Sequence, residues 1–181
     1  MTDSKPLNTA KLKEFKKLVH GYYIAHTMAN YGMSQVAINI VAMEGYNPSG
    51  LFQVGAKDVD SKAWAEIENK LAIEGMTKDG PFSQMVAHGI LVLIYELWND
   101  NYRALIAKEL NCKLNELYCD VMGDLRLIRH WIAHNNSIAD NKVKKFKTLS
   151  WPNKEGRFFY TSNEMQNLQI AINQMTVYIN K

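Results

Sequence analysis

Four prolines, Pro6, Pro48, Pro81 and Pro152, divide the chain into long stretches whose apolar residues recur at helical spacing. Few other constraints bear so directly on the fold. Between Pro6 and Pro48, Asn8 or Thr9 can cap a helix that carries Leu12, Phe15, Val19, Tyr22 and Tyr23, and the pattern resumes at Val36, Ile40 and Met43. Gly21 and Asn30-Tyr31-Gly32 interrupt it, so one bent helix or two helices are expected. Residues 45–55 read as a loop. Asp60 or Ser61 then caps a shorter helix with Trp64, Ile67 and Leu71 on one stripe, ending near Gly75. Pro81 suits the first turn of a helix running from about Phe82 to Leu110. Its middle, Ile90 to Leu97, is apolar nearly all round and is expected to be the most buried element. A further helix runs from near Leu114 to about Asn136. Thr148–Trp151 and Phe158–Thr161, joined by a turn at Pro152–Gly156, read as a small β-hairpin near residues 147–161. Ser162 caps a last helix with Met165, Leu168, Ile172, Met175 and Ile179. The expected class is all-α, a helical bundle with one accessory hairpin.

A chain of 181 residues is expected to form a single domain, its first 80 residues adding N-terminal helices of undefined role and residues 81–181 carrying the main bundle. A domain of that length buries roughly 70% of its unfolded surface, so it needs neither disulfide nor metal to hold a core. The two cysteines, Cys112 and Cys119, match no zinc spacing and suggest reduced thiols. The N-terminus is polar and rich in lysine, and the longest apolar run, Gly89–Tyr95, falls far short of the ~20 residues that span a bilayer. A cytoplasmic protein without a membrane segment is expected. The net charge of +3 is not that of a protein built to coat DNA.

The chemistry concentrates in Asp124–Asn136. On a helix, Val121, Leu125, Ile128 and Ile132 form a core stripe, while Arg126, Arg129, His130 and His134 share a separate arc of about 140°. The chain has 17 lysines and only 4 arginines, and two of those arginines lie on this arc. Histidine exchanges protons at neutral pH, and arginine holds the anionic phosphorus of phosphoryl transfer. An attacking 2′-hydroxyl needs a base, its leaving 5′-oxygen an acid, and the phosphorane a cation. Two copies of the helix facing each other across a two-fold axis would supply all of them without a metal.

Arg129-His130-Trp131-Ile132-Ala133-His134 resembles the R-x4–6-H motif of the HEPN superfamily. The lead-in from Asp124 to Arg129, the Asn135-Asn136 tail, the Trp98-x4-Arg103 stretch and the Leu149–Gly156 turn are similar to features of bacterial members. The resemblance is motif-specific over about 124–136 and architectural over roughly 82–181. It implies a homodimeric, metal-independent endoribonuclease, of the kind found among toxins and phage-defence factors, with an antitoxin protein as a further partner and no cofactor. Carried over, Arg129 and His134 form the catalytic pair. His130 departs from the Asn or Asp that most active members hold there. His130, Arg126, Asn135 and Asp124 would support the site or position RNA. Asp124 is read either as orienting an arginine or as a structural ion pair, and Asn135 and Asn136 as a helix cap or RNA contacts. Lys142, Lys144 and Lys145 are candidates for contacts to an RNA backbone, or simply a solvated face. His130 and His134 alone do not complete a metal site. The alternatives are a non-catalytic HEPN module that binds nucleotide, RNA or protein, and a plain helical oligomerisation protein.

Overall fold

The computed structural model describes residues 6–55 and 63–180. The chain divides into two compact units, one formed by 1–26 with 87–181 and the other by 27–86. The expected class holds in its coarse form: the described residues are mostly helical, with three small two-stranded sheets.

Helix α1, Ala10–Ala42, runs without a break through both Gly21 and Gly32. Each glycine costs about 1 kcal/mol against alanine, which a helix of 33 residues absorbs. Its start is doubly capped. Thr9 Oγ1 accepts from the Leu12 amide at 3.1 Å, and the Glu109 carboxylate accepts from the amides of Ala10 and Lys11 at 2.8 and 3.0 Å.

In the unit of residues 27–86, strands β1, Leu51–Val54, and β2, Ala65–Glu68, form an antiparallel ribbon with Phe52 opposite Ile67. Helix α2, Asn69–Met76, follows at once. The helix expected from Asp60 or Ser61 is therefore corrected: those two residues lie outside the described ones, and Ala65–Glu68 is extended. Its alternating Ala-Glu-Ile-Glu suits period two, and pairing with β1 decides the matter. Trp64 and Leu71 are exposed, while Ala72 and Met76 pack with Ala37 and Ile40 of α1.

Helix α3, Pro81–Leu97, starts in that unit and, from Ala87 on, belongs to the larger one, where it passes into a π-helical turn at Trp98–Tyr102 and then into α4, Arg103–Glu109. The π turn brings two buried rings onto one residue, since Phe15 lies 5.4 Å from both Trp98 and Tyr102. Burial of Ile90–Leu97 on all sides is corrected. Only Ile90, Leu91 and Ile94 are buried, and Leu93 is 53% exposed, because this segment packs on one face. The helix expected from Leu114 also starts later. A 3-10 turn covers Leu114–Glu116, strand β3 covers Leu117–Tyr118, and α5 spans Asp120–His134. Two strands follow further along the chain: β4, Ile138–Ala139, and β5, Gly156–Arg157. Helix α6 spans Ser162–Gln174. Its cap is Thr161, whose hydroxyl accepts from the Asn163 amide, rather than Ser162. Ile179 belongs not to this helix but to β6, Tyr178–Ile179, which pairs with β3.

The expected hairpin does not form. Gly156–Arg157 pairs instead with Ile138–Ala139, beyond the end of α5. Leu149, Trp151, Phe158 and Tyr160 are buried as the alternation required, but by side-chain packing, with Trp151 edge-on to Tyr160 at 4.6 Å. The backbone amides of Thr148 and Leu149 that a hairpin ladder would draw on are already bound by Asp124.

Both cysteines are free thiols. Burial pushes the Cys119 thiol up to about 11. At pH 8 that leaves only about one molecule in a thousand as thiolate, the reactive form. A thiol reagent at this pH is expected to label Cys112 well before Cys119, and mass mapping of the modified peptides checks the order. Equal labelling would contradict the burial of Cys119.

Candidate active site

Helix α5 carries the sequence motif, and its buried side is Val121, Leu125, Ile128 and Trp131. Trp131 is fully buried, stacked at 5.7 Å on Phe146 and edge-on at 6.2 Å to Phe158. That packing fixes the rotation of the helix and turns the arginine–histidine arc outward. The arc then divides into two groups.

The first group is Arg129 with His134. Arg129 Nη1 lies 3.1 Å from His134 Nε2. A guanidinium has only donors, so His134 Nε2 accepts in this arrangement and the ring proton sits on Nδ1. A third residue holds the arginine. Glu96 Oε1 accepts from Arg129 Nε at 2.8 Å and pairs with Nη2 at 2.7 Å. Of the five guanidinium protons, Glu96 takes two and His134 one, leaving two to offer an anion. Glu96 is a residue of this site that the motif does not contain. Its signal was present, as the lone carboxylate in the apolar window Ile90–Leu97. Nitrogen-15 NMR of the histidine rings is expected to show His134 biased towards the Nδ1–H tautomer when neutral. Arg129→Ala should abolish that bias. A spectrum identical in the variant would show that the contact is not kept in solution.

The second group is Arg126 with His130. Both line a cleft of about 500 Å³ together with Lys142, Lys145 and Lys147. The His130 ring lies 5.2 Å from that of His134, so it stands between this cleft and the first group. Asn141–Lys145 forms a 3-10 turn, in which residues three apart eclipse one another. Lys142 and Lys145 therefore share the cleft side, and Lys144 does not line it.

Neither reading of Asp124 is what its geometry shows. The residue is 2% exposed, and its carboxylate accepts the backbone amides of Lys147, Thr148 and Leu149 at 2.8 to 3.1 Å. Among the described residues it pairs with no arginine or other cation; it pins the segment after the lysine run against α5. Asn135 ends the helix. Its amide bonds the Trp131 carbonyl at 3.1 Å and its Nδ2 donates to the Ile138 carbonyl at 2.6 Å, while Asn136 and Ser137 turn the chain with positive φ. The cap reading of Asn135 describes its contacts.

Asp120, at the start of α5, binds the Lys147 ammonium at 2.8 Å and accepts the Tyr178 hydroxyl. Burial alone would raise this carboxyl, but the two donors outweigh it and hold it below its ordinary value. Burial, followed by the adjacent carboxylate, pushes the Tyr178 phenol up to about 12. Among the described residues, no group of three or more His, Cys, Asp or Glu side chains is placed to hold a metal ion. No helix there is long and apolar enough to cross a membrane. No family model, curated protein or solved structure matches this chain.

Proposed function

We propose that the chain is a HEPN-type endoribonuclease that cuts RNA without a metal, at a site completed by a second copy of itself. The observation that carries this reading is the Arg129–His134 contact at 3.1 Å, with Arg129 held from behind by Glu96. A base and a phosphorus-binding cation thus sit side by side on one helix end. As Arg129 Nη1 turns from His134 Nε2 to the scissile phosphate, that histidine nitrogen takes the proton of the 2′-hydroxyl, whose oxygen forms a bond to phosphorus. The two free guanidinium protons of Arg129 bind the non-bridging oxygens of the phosphorane. The bond to the 5′-oxygen then breaks, and a protonated His134 of the second copy donates to the leaving oxygen. The products are a 2′,3′-cyclic phosphate and a 5′-hydroxyl, with no external reactant. In this reading Arg126 and His130 position the strand, RNA is the substrate, the location is the cytoplasm, and an antitoxin is the expected protein partner.

A second reading is a binding module that does not cut. Its support is Glu96, which already neutralises Arg129 within the chain. RNA cleavage in EDTA separates the two. Wild-type protein is expected to cut, and His134→Ala and Arg129→Ala to lose cutting while staying folded. Equal cutting by wild type and His134→Ala would overturn the nuclease reading. RNA binding without cleavage by the wild type would favour the module. Absence of RNA affinity at low salt would leave a plain oligomerisation protein.

A further inference from the structure

The cleft beside the motif has two kinds of wall. One is cationic: Arg126, Lys142, Lys145 and Lys147 line it together with His130. Two of these cations are spoken for, since Lys147 pairs with Asp120 and Lys142 with Asp140 at 3.1 Å. Asp124, the other carboxylate in the lining, is consumed by backbone amides. Arg126 and Lys145 therefore face the cleft with no carboxylate partner among the described residues. Unpaired cations lining a concave surface attract an anion.

The other wall is aromatic and apolar. Tyr118 and Tyr178 are stacked, their centroids 6.0 Å apart and their planes 11° from parallel, and Leu127 lies in the same lining. Pairing of β3 with β6 holds the two rings in register, because Tyr118 and Tyr178 are directly opposite. The Tyr178 hydroxyl is tied to Asp120, which fixes its ring, whereas Tyr118 is 44% exposed. A rigid ring backing an exposed one makes a stacking platform. A volume of about 500 Å³ is in the range that holds a small ligand.

We propose that this cleft binds one nucleoside phosphate unit, its base on Tyr118 and its phosphate between Arg126 and Lys145. Because His130 joins the cleft to His134, the unit is the nucleotide that flanks the bond being cut. That role rests on the nuclease reading, but the binding does not. The unit can arrive within an RNA strand or as a free nucleotide.

The test measures binding to the full chain of a short single-stranded RNA made uncleavable by 2′-O-methyl groups, with AMP and inorganic phosphate run beside it. Lys145→Ala is expected to weaken RNA binding about tenfold at low salt and to lower the salt slope by about one. Tyr118→Ala should weaken it by a similar factor through lost stacking. Lys144→Ala makes the same change in net charge outside the cleft and should bind as wild type does. AMP should bind more tightly than phosphate, and this preference should vanish in Tyr118→Ala. AMP bound as tightly as RNA would assign the unit to free nucleotide; RNA bound far more tightly would assign it to the strand. Equal losses in Lys144→Ala and Lys145→Ala would show diffuse attraction only and overturn the proposal, as would no binding of either ligand. If the chain proves unable to cut RNA, Lys145-dependent binding would still stand, so the two readings fail separately.

Discussion

His134→Ala is expected to lower the rate of RNA cleavage by about 10⁴-fold or more while shifting the melting temperature by less than about 2 °C. A positioned acid or base contributes about 10²–10⁴ to such a reaction. In a site made of two copies, one substitution removes both the base from one chain and the acid from the other, so the loss lies at or above the top of that range. The fold is insensitive because His134 is exposed at the last turn of α5 and touches only Arg129 and His130 among the described contacts. Arg129→Ala should cost about 10²–10³ in rate, the usual loss for one group that binds the developing anion. It also leaves Glu96 without its partner, so a small loss of stability, about 1 kcal/mol, accompanies it. Single-turnover kinetics in EDTA, paired with thermal melts, read both quantities. A rate loss below about tenfold in His134→Ala would remove His134 from the chemistry.

Asp124→Ala is expected to damage the fold severely. The substitution orphans three backbone amides at a site 2% exposed to solvent. Hydrogen bonds to a charged group are each worth about 1.5–3 kcal/mol, and a buried donor left unpaired costs about 1–3 kcal/mol. These figures overlap for a shared acceptor, so about 4 kcal/mol in all is a reasonable sum. At roughly 2–4 °C per kcal/mol for a chain of this size, the melting temperature should fall by about 8–16 °C. Asp124→Asn keeps one acceptor oxygen and should lose about half as much. Hydrogen exchange at Lys147–Leu149 should accelerate in both variants, because those amides are the ones released. A melting temperature within 2 °C of wild type in Asp124→Ala would contradict the clamp. The clamp also bears on the cleft, since Lys147 and the lysine run are attached to the pinned segment.

Much of the helical framework was legible in the sequence. Leu12, Phe15 and Val19, and later Met165, Leu168 and Ile172, recur at spacings that only a helix places on one side, and all are buried. The short extended pieces were not legible. Leu117–Tyr118 and Tyr178–Ile179 carry no alternation long enough to read, and they become strands only because they meet across 60 residues of chain. The hairpin expectation failed for a different reason. Its alternation is real, but it reports burial rather than pairing, and Asp124 had already claimed the amides. The same limit applies at the site. Arg129 and His134, five residues apart, stand about 140° apart at the two ends of the arc, so spacing gives the arc but not their contact; Glu96 lies 33 residues from Arg129 and no local pattern connects them.

The sequence by itself therefore determined the helices and which side of α5 carries the charged groups. Helical periodicity is a local property, and backbone geometry turns it directly into a face. Only the tertiary structure decided what those groups meet: Glu96 behind Arg129, Asp124 under the 147–149 segment, Glu109 on the first amides of α1, and two tyrosines opposite one another beside Arg126 and Lys145. Each of these is a contact between residues far apart in the chain. A carboxylate or a ring has many partners of suitable chemistry in the sequence, and packing selects one of them.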